Sequence, residues 1–322
     1  MQEMSKQVYI GVVIVASFLV SWQSYSIRKV KSINKLYITP TVEVLTEPPE
    51  KRFSFLFDEA HKCESRTPFL LLLIPSIPQE ATTRDVIRKT WGNETLMPGV
   101  DIMRMFLLGA PQPPAVFAAT QALLRNESTK FGDILQQDFM DTYNNLTLKT
   151  MMGMEWVATY CPNATYVMKI DTDMFFNPFF LVNHLLQPNL PAKKNYFTGS
   201  VIRWARPFRV NNTKWFVSKD VYPKDVYPTY CSGTGYVMSG DMAAKIYQIA
   251  PVVTPIHMED VFMGLCLERL QIEITDSQSS AFSGYRIAYE RCKFTKLITV
   301  HHYTTEELEH LWPDFVEAVK SC

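Results

Sequence analysis

Asp171 and Asp173, separated only by Thr172, follow an apolar stretch at 165–170 that reads as a strand. Alternate side chains of a strand point the same way, so both carboxylates are expected to leave its carboxyl end on one face, where they could share a hard divalent cation that bridges a bound diphosphate. An Asp-rich turn gives the same spacing without chemistry. A phosphatase nucleophile of the DxDxT type is a third reading, and Phe175 at the place of the required Thr weighs against it. His301 and His302 follow a strand expected at 297–300, where an imidazole could supply a further metal ligand or stand as an ordinary surface histidine. Glu259 and Asp260 open a helix expected at 260–270; one could be a general base, or simply an N-cap favoured by the helix dipole. Arg84 and Arg88, four apart on one helical face, could clamp a diphosphate or line a solvated face. The glycine-rich segment at 231–236 lacks the spacing of a P-loop or dinucleotide fingerprint, and fits close backbone approach or a tight turn.

These groups require elements that bring them together. Apolar runs at 68–74, 103–109 and 165–170 read as strands, and 82–92, 116–124 and 145–160 as helical segments between them. Short strands are expected at 272–274 and 297–300, and a last helix from Thr305, with Thr304 and Glu307 at capping-box spacing and Pro313 expected to kink or break it. Leu308, Leu311, Trp312 and Phe315 make its core stripe. Alternating strands and helices predict an α/β fold with a mostly parallel sheet and chemistry beyond the strands' carboxyl ends.

The chain has 322 residues, room for two domains or one large α/β enzyme. Lys plus Arg and Asp plus Glu each number 32, so no basic excess exists to hold nucleic-acid phosphates, and no nucleic-acid partner is expected. A chain 47% hydrophobic and 20% charged can build a core, which excludes a disordered tail protein. An apolar stretch from Val8 to Trp22, extended to Tyr25, reads as a short signal-anchor, with bulky Trp22 and Tyr25 in place of a cleavage site. Residues 1–7 are then a cytoplasmic tail, 8–25 the transmembrane helix, 26–62 a stem containing Pro40, Pro48 and Pro49, and 63–322 a lumenal catalytic domain. The basic residues after the anchor argue for the opposite orientation; five N-x-Ser/Thr sites, at Asn93, Asn126, Asn145, Asn163 and Asn211, argue for the lumen. The six cysteines lack CxxC spacing, which speaks against a zinc site, and they allow fifteen disulfide pairings. Cys161 with Cys231 and Cys266 with Cys292 are the pairings expected here.

Read in order, R-x-x-I-R-x-T-W-G at 84–92, D-F-x-D-x-Y-x-N-L-T-L-K-T at 138–150, Y-V-M-K-x-D-T-D-M-F at 166–175, Y-F-T-G at 196–199, Y-C-S-G-T-G-Y at 230–236 and E-D-V-F-M-G-L-C-L at 259–267 resemble the β-1,3-glycosyltransferase family. Within it the chain is most similar to β-1,3-galactosyltransferases that extend N-acetylglucosamine, with K-W-F-V-S-K at 214–219 and L-C-L-E-R-L at 265–270 echoing the type 5 branch. The resemblance implies a Golgi type II membrane enzyme of GT-A-like fold that uses UDP-galactose and Mn2+. It acts on the 3-hydroxyl of a terminal N-acetylglucosamine, or N-acetylgalactosamine, on a glycoprotein or glycolipid. Position by position it implies Asp173 and His301 as metal ligands, Asp171 near the ribose or diphosphate, and Asp260 as the base. It also puts Arg84, Arg88 and Lys149 in donor-site motifs. The sequence departs from the family at Thr172, where many galactosyl members have Ser, at Thr83 before Arg84, and at the second histidine, His302. Thr between the aspartates also occurs in a member that transfers N-acetylgalactosamine, so a UDP-N-acetylhexosamine donor is the alternative. An inactive lumenal binding partner of an active relative is another.

Overall fold

The computed structural model describes residues 53–113, 116–276 and 279–322. A seven-stranded sheet runs in the order β1 (Phe55–Phe57), β4 (Ile134–Met140), β3 (Ile102–Ala110), β2 (Leu70–Pro75), β5 (Tyr166–Ile170), β8 (Tyr230–Ser239), β7 (Phe197–Ile202). β2 to β5 are mutually parallel, while β1 and β8 run against their neighbours, so the expected mostly parallel sheet is present with antiparallel pairs toward both edges.

β2 explains why both faces are covered. All six of its residues are buried; Leu70, Leu72 and Ile74 enter one apolar cluster and Leu71 and Leu73 the other. Each fully buried leucine is worth roughly 2 kcal/mol in area terms. On the second face lie helices α3 (Leu146–Tyr160), α4 (Asp241–Ile249) and α5 (Glu259–Leu270), after α1 (Ala81–Lys89) and α2 (Phe117–Phe131) in the chain. Gly153 lets α3 close on the sheet: a Cβ there would stand 3.0 Å from both Leu107 Cδ1 and Leu73 Cδ1. A smaller sheet joins β6 (Met174–Phe176), β10 (Thr299–His301) and β9 (Phe282–Ser283).

Several expectations change. The segment 272–274 forms no strand; Ile272 instead closes the end of α5 through a bond from its N–H to the Leu267 carbonyl at 3.0 Å. The last helix, α6 (Thr305–Ser321), has the expected capping box but runs unbroken through Pro313, which is solvent-exposed, so water can serve the carbonyl it leaves unbonded. The disulfides are Cys63–Cys161 and Cys292–Cys322, and neither expected pair forms. Cys231 on β8 and Cys266 on α5 are instead free and buried in the apolar core, which raises both thiols, that of Cys266 to about 12. Closing a 98-residue loop, Cys63–Cys161 contributes about 5 kcal/mol in the chain-entropy picture. Residues 55–58, which the sequence assigns to the stem, are held to the body by other contacts. β1 pairs with β4, and the Trp156 indole donates to the Asp58 carbonyl, so the folded unit begins before Cys63. The expected anchor at 8–25 lies outside the described residues, among which no helix is long and apolar enough to cross a membrane.

Candidate active site

The carboxyl end of β5 starts the site. Ile170 pairs with Gly235 of β8, and the Asp171 N–H donates to the Thr234 carbonyl at 3.1 Å, so the chain leaves the sheet beside the glycine-rich stretch. Two turn residues follow, and β6 then pairs Met174 with His301 of β10. That register brings His301 Nε2 to 3.0 Å from Asp173 Oδ2, and the Tyr303 N–H donates to the Asp173 carbonyl at 3.0 Å. His302 stacks on His301 with ring centroids 3.7 Å apart, its backbone at φ +64°, a left-handed conformation uncommon outside glycine. Arg286 donates to the His302 carbonyl and steadies that turn.

Ligand atoms of Asp173, His301 and His302 lie within 4.8 Å of one another. One carboxylate and two imidazoles make a donor set suited to a first-row divalent cation, so the residues present fit the Mn2+ that the resemblance implies. His301 Nδ1 faces the Gly284 carbonyl at 3.3 Å, an outer contact that leaves Nε2 for a ligand. Burial works against charge on both Asp173 and His301, yet their mutual hydrogen bond and attraction outweigh it, lowering the carboxyl and raising the imidazole.

Asp171 does not join this cluster. Because the turn ends the strand's alternation at 171–173, its Oδ1 accepts from Lys169 Nζ at 2.7 Å instead, and the two aspartates expected on one face serve different neighbours. Burial raises the Asp171 carboxyl and Lys169 opposes the rise.

Asp260 occupies the first turn of α5, with Met258 as the cap residue, so the simple N-cap reading does not hold for it. Its Oδ1 accepts from the Val261 N–H at 2.8 Å and its Oδ2 from the Gly233 N–H at 3.2 Å. Glycine eases the close approach of the β8 backbone: a Cβ on Gly233 would lie 3.2 Å from Glu259 Oε2 and 3.4 Å from Asp260 Cβ and would crowd both side chains. Burial raises the Asp260 carboxyl, and the two N–H donors and Lys169 pull it partly back. A raised carboxylate held by two fixed donors is a candidate proton acceptor.

Lys149 on α3 is buried and clamps three strand ends. Its Nζ donates to the Ser76 carbonyl and to Asp141 Oδ1, both at 2.7 Å, and Asp141 Oδ2 accepts from the Gly109 N–H at 2.7 Å. Burial lowers its ammonium and Asp141 opposes that.

Arg84 and Arg88 correct the expected clamp. Arg84 is fully buried and spends its donors on Glu127 at 2.7 and 2.8 Å, on Ser76 Oγ, and on the Ile77 and Pro78 carbonyls. Arg88 binds Asp133 at 2.7 and 2.8 Å and Glu127 at 2.7 Å, with its guanidinium 4.0 Å from the Phe131 ring centroid. Arg84 joins α1 to α2 and to the loop after β2, Arg88 joins α1 to α2 and to Asp133 just before β4, and neither is a free phosphate donor. Arg88→Met is therefore expected to cost about 3 kcal/mol of stability, by removing one of the arginines that hold Asp133 and Glu127 and leaving these carboxylates to Arg104 and Arg84, while donor KM in the folded fraction stays unchanged. Thermal unfolding beside donor titration checks both halves.

Residues that spacing did not single out are Lys169 and Tyr236, which join Glu259 in one buried network. The available signal was a lone lysine inside an otherwise apolar strand, Y-V-M-K-I. Among the glycosylation sites, Asn126, Asn163 and Asn211 are exposed, whereas Asn93 and Asn145 are half-buried.

Sequence comparison bears on this arrangement. A profile described as galactosyltransferase matches residues 82–278. β-1,3-Galactosyltransferase 2 of Mus musculus is 44% identical over 266 residues, 82% of this chain and 63% of that protein. β-1,3-Galactosyltransferase 1 of Mus musculus is 43% identical over 262 residues, 81% of this chain and 78% of that protein. The chain thus spans less than two thirds of the length of the type 2 relative. A solved structure of the galactosyltransferase LgtC with donor and acceptor sugar analogues covers 76% of this chain and 95% of its own at 11% identity and TM-score 0.40, too distant to argue from. With a family profile across most of the body, and more than two fifths identity to two relatives over four fifths of its length, the chain belongs to the galactosyltransferase family of glycosyltransferases.

Proposed function

We propose that this chain is a β-1,3-galactosyltransferase, moving galactose from UDP-galactose, with inversion, to the 3-hydroxyl of a terminal N-acetylglucosamine or N-acetylgalactosamine of a glycan. The observation that carries the reading is the separation of two chemistries about one strand end. A carboxylate–imidazole cluster suited to a cation lies at Asp173, His301 and His302, and a second, half-buried carboxylate at Asp260 is gripped by two N–H donors. The similarity to β-1,3-galactosyltransferases 1 and 2 supports the donor and linkage.

A cation bound by Asp173 and His301 would offset negative charge developing on the departing diphosphate. The protein's own residues do the rest. Asp260 takes the proton of the 3-hydroxyl as that oxygen bonds to the anomeric carbon from the face opposite UDP. The carbon–oxygen bond to the diphosphate breaks, and an α donor gives a β product. Lys149 and Asp171 belong to the donor side of this reading.

The raised Asp260 carboxyl sets a pH dependence. Only its ionised form accepts a proton, so kcat/KM should fall as pH drops through the raised value, an acid limb above the ordinary Asp value of about 3.9. A limb at or below that value would contradict the assignment.

Thr172 favours one competing reading, a UDP-N-acetylhexosamine donor. Transfer by the full-length chain from a panel of UDP-sugars, with Mn2+ or chelator, tests both. Mn2+-dependent use of UDP-galactose supports the first, and transfer only from an N-acetylhexosamine donor replaces it. A silent binding partner is disfavoured by the intact Asp173, Asp260 and His301, and inactivity of folded protein with every donor would revive it. The anchor at 8–25, the lumenal body and the Golgi membrane belong to the same proposal, supported by five sequons and two disulfides, which persist in an oxidising compartment.

A further inference from the structure

One buried cation near the base has no part in the chemistry above. Lys169 stands on β5 directly opposite Tyr236 of β8, and its side chain is 4% exposed. Its ammonium donates to Asp171 Oδ1 at 2.7 Å and to the Gly233 carbonyl, and lies 3.5 Å from Glu259 Oε2. The Tyr236 hydroxyl donates to the other Glu259 oxygen. Gly233, whose carbonyl Lys169 grips, presents its N–H to Asp260 Oδ2 at 3.2 Å. Glu259, the chain neighbour of Asp260, is pinned between Lys169 and Tyr236 at the start of α5. A single ammonium therefore fixes the aim of one Asp260 donor and the helix turn that carries Asp260, and ties both to the strand end that leads to the cation cluster.

Resting on the reading of Asp260 as the base, we propose that Lys169 is a positioning residue that holds Asp260 in its ionised, acceptor-facing state through Gly233 and Glu259. Lys169 touches no reacting atom. Among the described residues it is the cation that faces three carboxylates together, the buried Glu259 and the half-buried Asp171 and Asp260. Burial works against its charge, but attraction to those carboxylates outweighs it and keeps the ammonium protonated. The remaining titratable groups facing Asp260 are the phenols of Tyr143, Tyr227, Tyr230 and Tyr236 and the Cys231 thiol. Burial holds each above its ordinary value, so they stay neutral along an acid limb. The charges that can move the limb are Lys169, which draws it down, and Glu259 and Asp171, which push it up.

The test is the pH profile of kcat/KM for the full-length protein carrying Lys169→Met, Lys169→Arg, Glu259→Gln or Asp260→Asn. Lys169→Met is expected to lower kcat about a hundredfold and move the acid limb up by about one unit or more. Glu259→Gln, which keeps an acceptor for Tyr236, is expected to move the limb down by about one unit. Lys169→Arg should return the limb toward its original position even where kcat stays low, because charge rather than shape sets it. A purely structural lysine would lower the folded fraction and leave every limb in place. Limbs unmoved in both Lys169→Met and Glu259→Gln, with Asp260→Asn inactive, overturn the proposal and leave the base assignment standing. An active Asp260→Asn overturns the base assignment itself. Should Lys169→Met fail to fold, Lys169→Gln, which keeps a donor for Asp171 and the Gly233 carbonyl without the charge, is read for the same upward shift, and an unmoved limb there overturns the proposal.

Discussion

Asp260→Asn is expected to lower kcat by about a thousandfold, near 4 kcal/mol of transition-state stabilisation, with KM for donor and acceptor almost unchanged. The amide is isosteric and still accepts one of the two N–H donors now shared by the carboxylate, from Val261 at 2.8 Å and Gly233 at 3.2 Å, but it cannot take a proton at neutral pH. Stability should change by no more than about 1 kcal/mol, since losing one bond is offset by removing a charge that partial burial already disfavours. Steady-state kinetics beside thermal unfolding separate the two. A tenfold or smaller loss of kcat in well-folded protein would remove Asp260 from the chemistry.

Asp173→Ala should be as severe, for a different reason. Among the described residues Asp173 is the only carboxylate of the cation cluster, and without it two stacked imidazoles remain. A loss of about a thousandfold is expected that excess Mn2+ does not restore, because charge on the leaving diphosphate goes unmatched. His301→Ala keeps the carboxylate, so the Mn2+ concentration for half-activation should rise about tenfold or more while activity is recoverable at high metal. Direct Mn2+ binding to each variant, measured without substrate, checks the ligand assignment independently of turnover. Unchanged Mn2+ affinity in both variants would contradict it.

Local pattern carried much of the fold. The unbroken apolar run at 68–74 is a strand covered on both faces, and the Thr304–Glu307 spacing is a true capping box, because each depends on neighbours a few residues away. What failed to show depends on distant partners. Arg84 and Arg88 have the spacing of an anion clamp, but Glu127 and Asp133, some 40 residues further on, consume them. Cysteine order cannot reveal that the start of the body folds back to Cys161. Asp171 and Asp173 part company because the turn between β5 and β6 ends the two-residue period there, a change set by the pairing of β6 with β10 rather than by local residue type. Pro313 reads as a breaker, yet it sits on the solvent face of α6, where the unbonded carbonyl has water to turn to.

The central claim is an inverting transfer to a 3-hydroxyl with Asp260 as proton acceptor. It is tested most directly by the linkage of the product formed from UDP-α-galactose and an N-acetylglucosamine acceptor, read by NMR from the anomeric coupling and the shifted acceptor carbon. A β-anomer attached at position 3 is the expected result. An α-anomer would contradict single displacement from the face opposite UDP, and a β product at another hydroxyl would contradict the acceptor geometry.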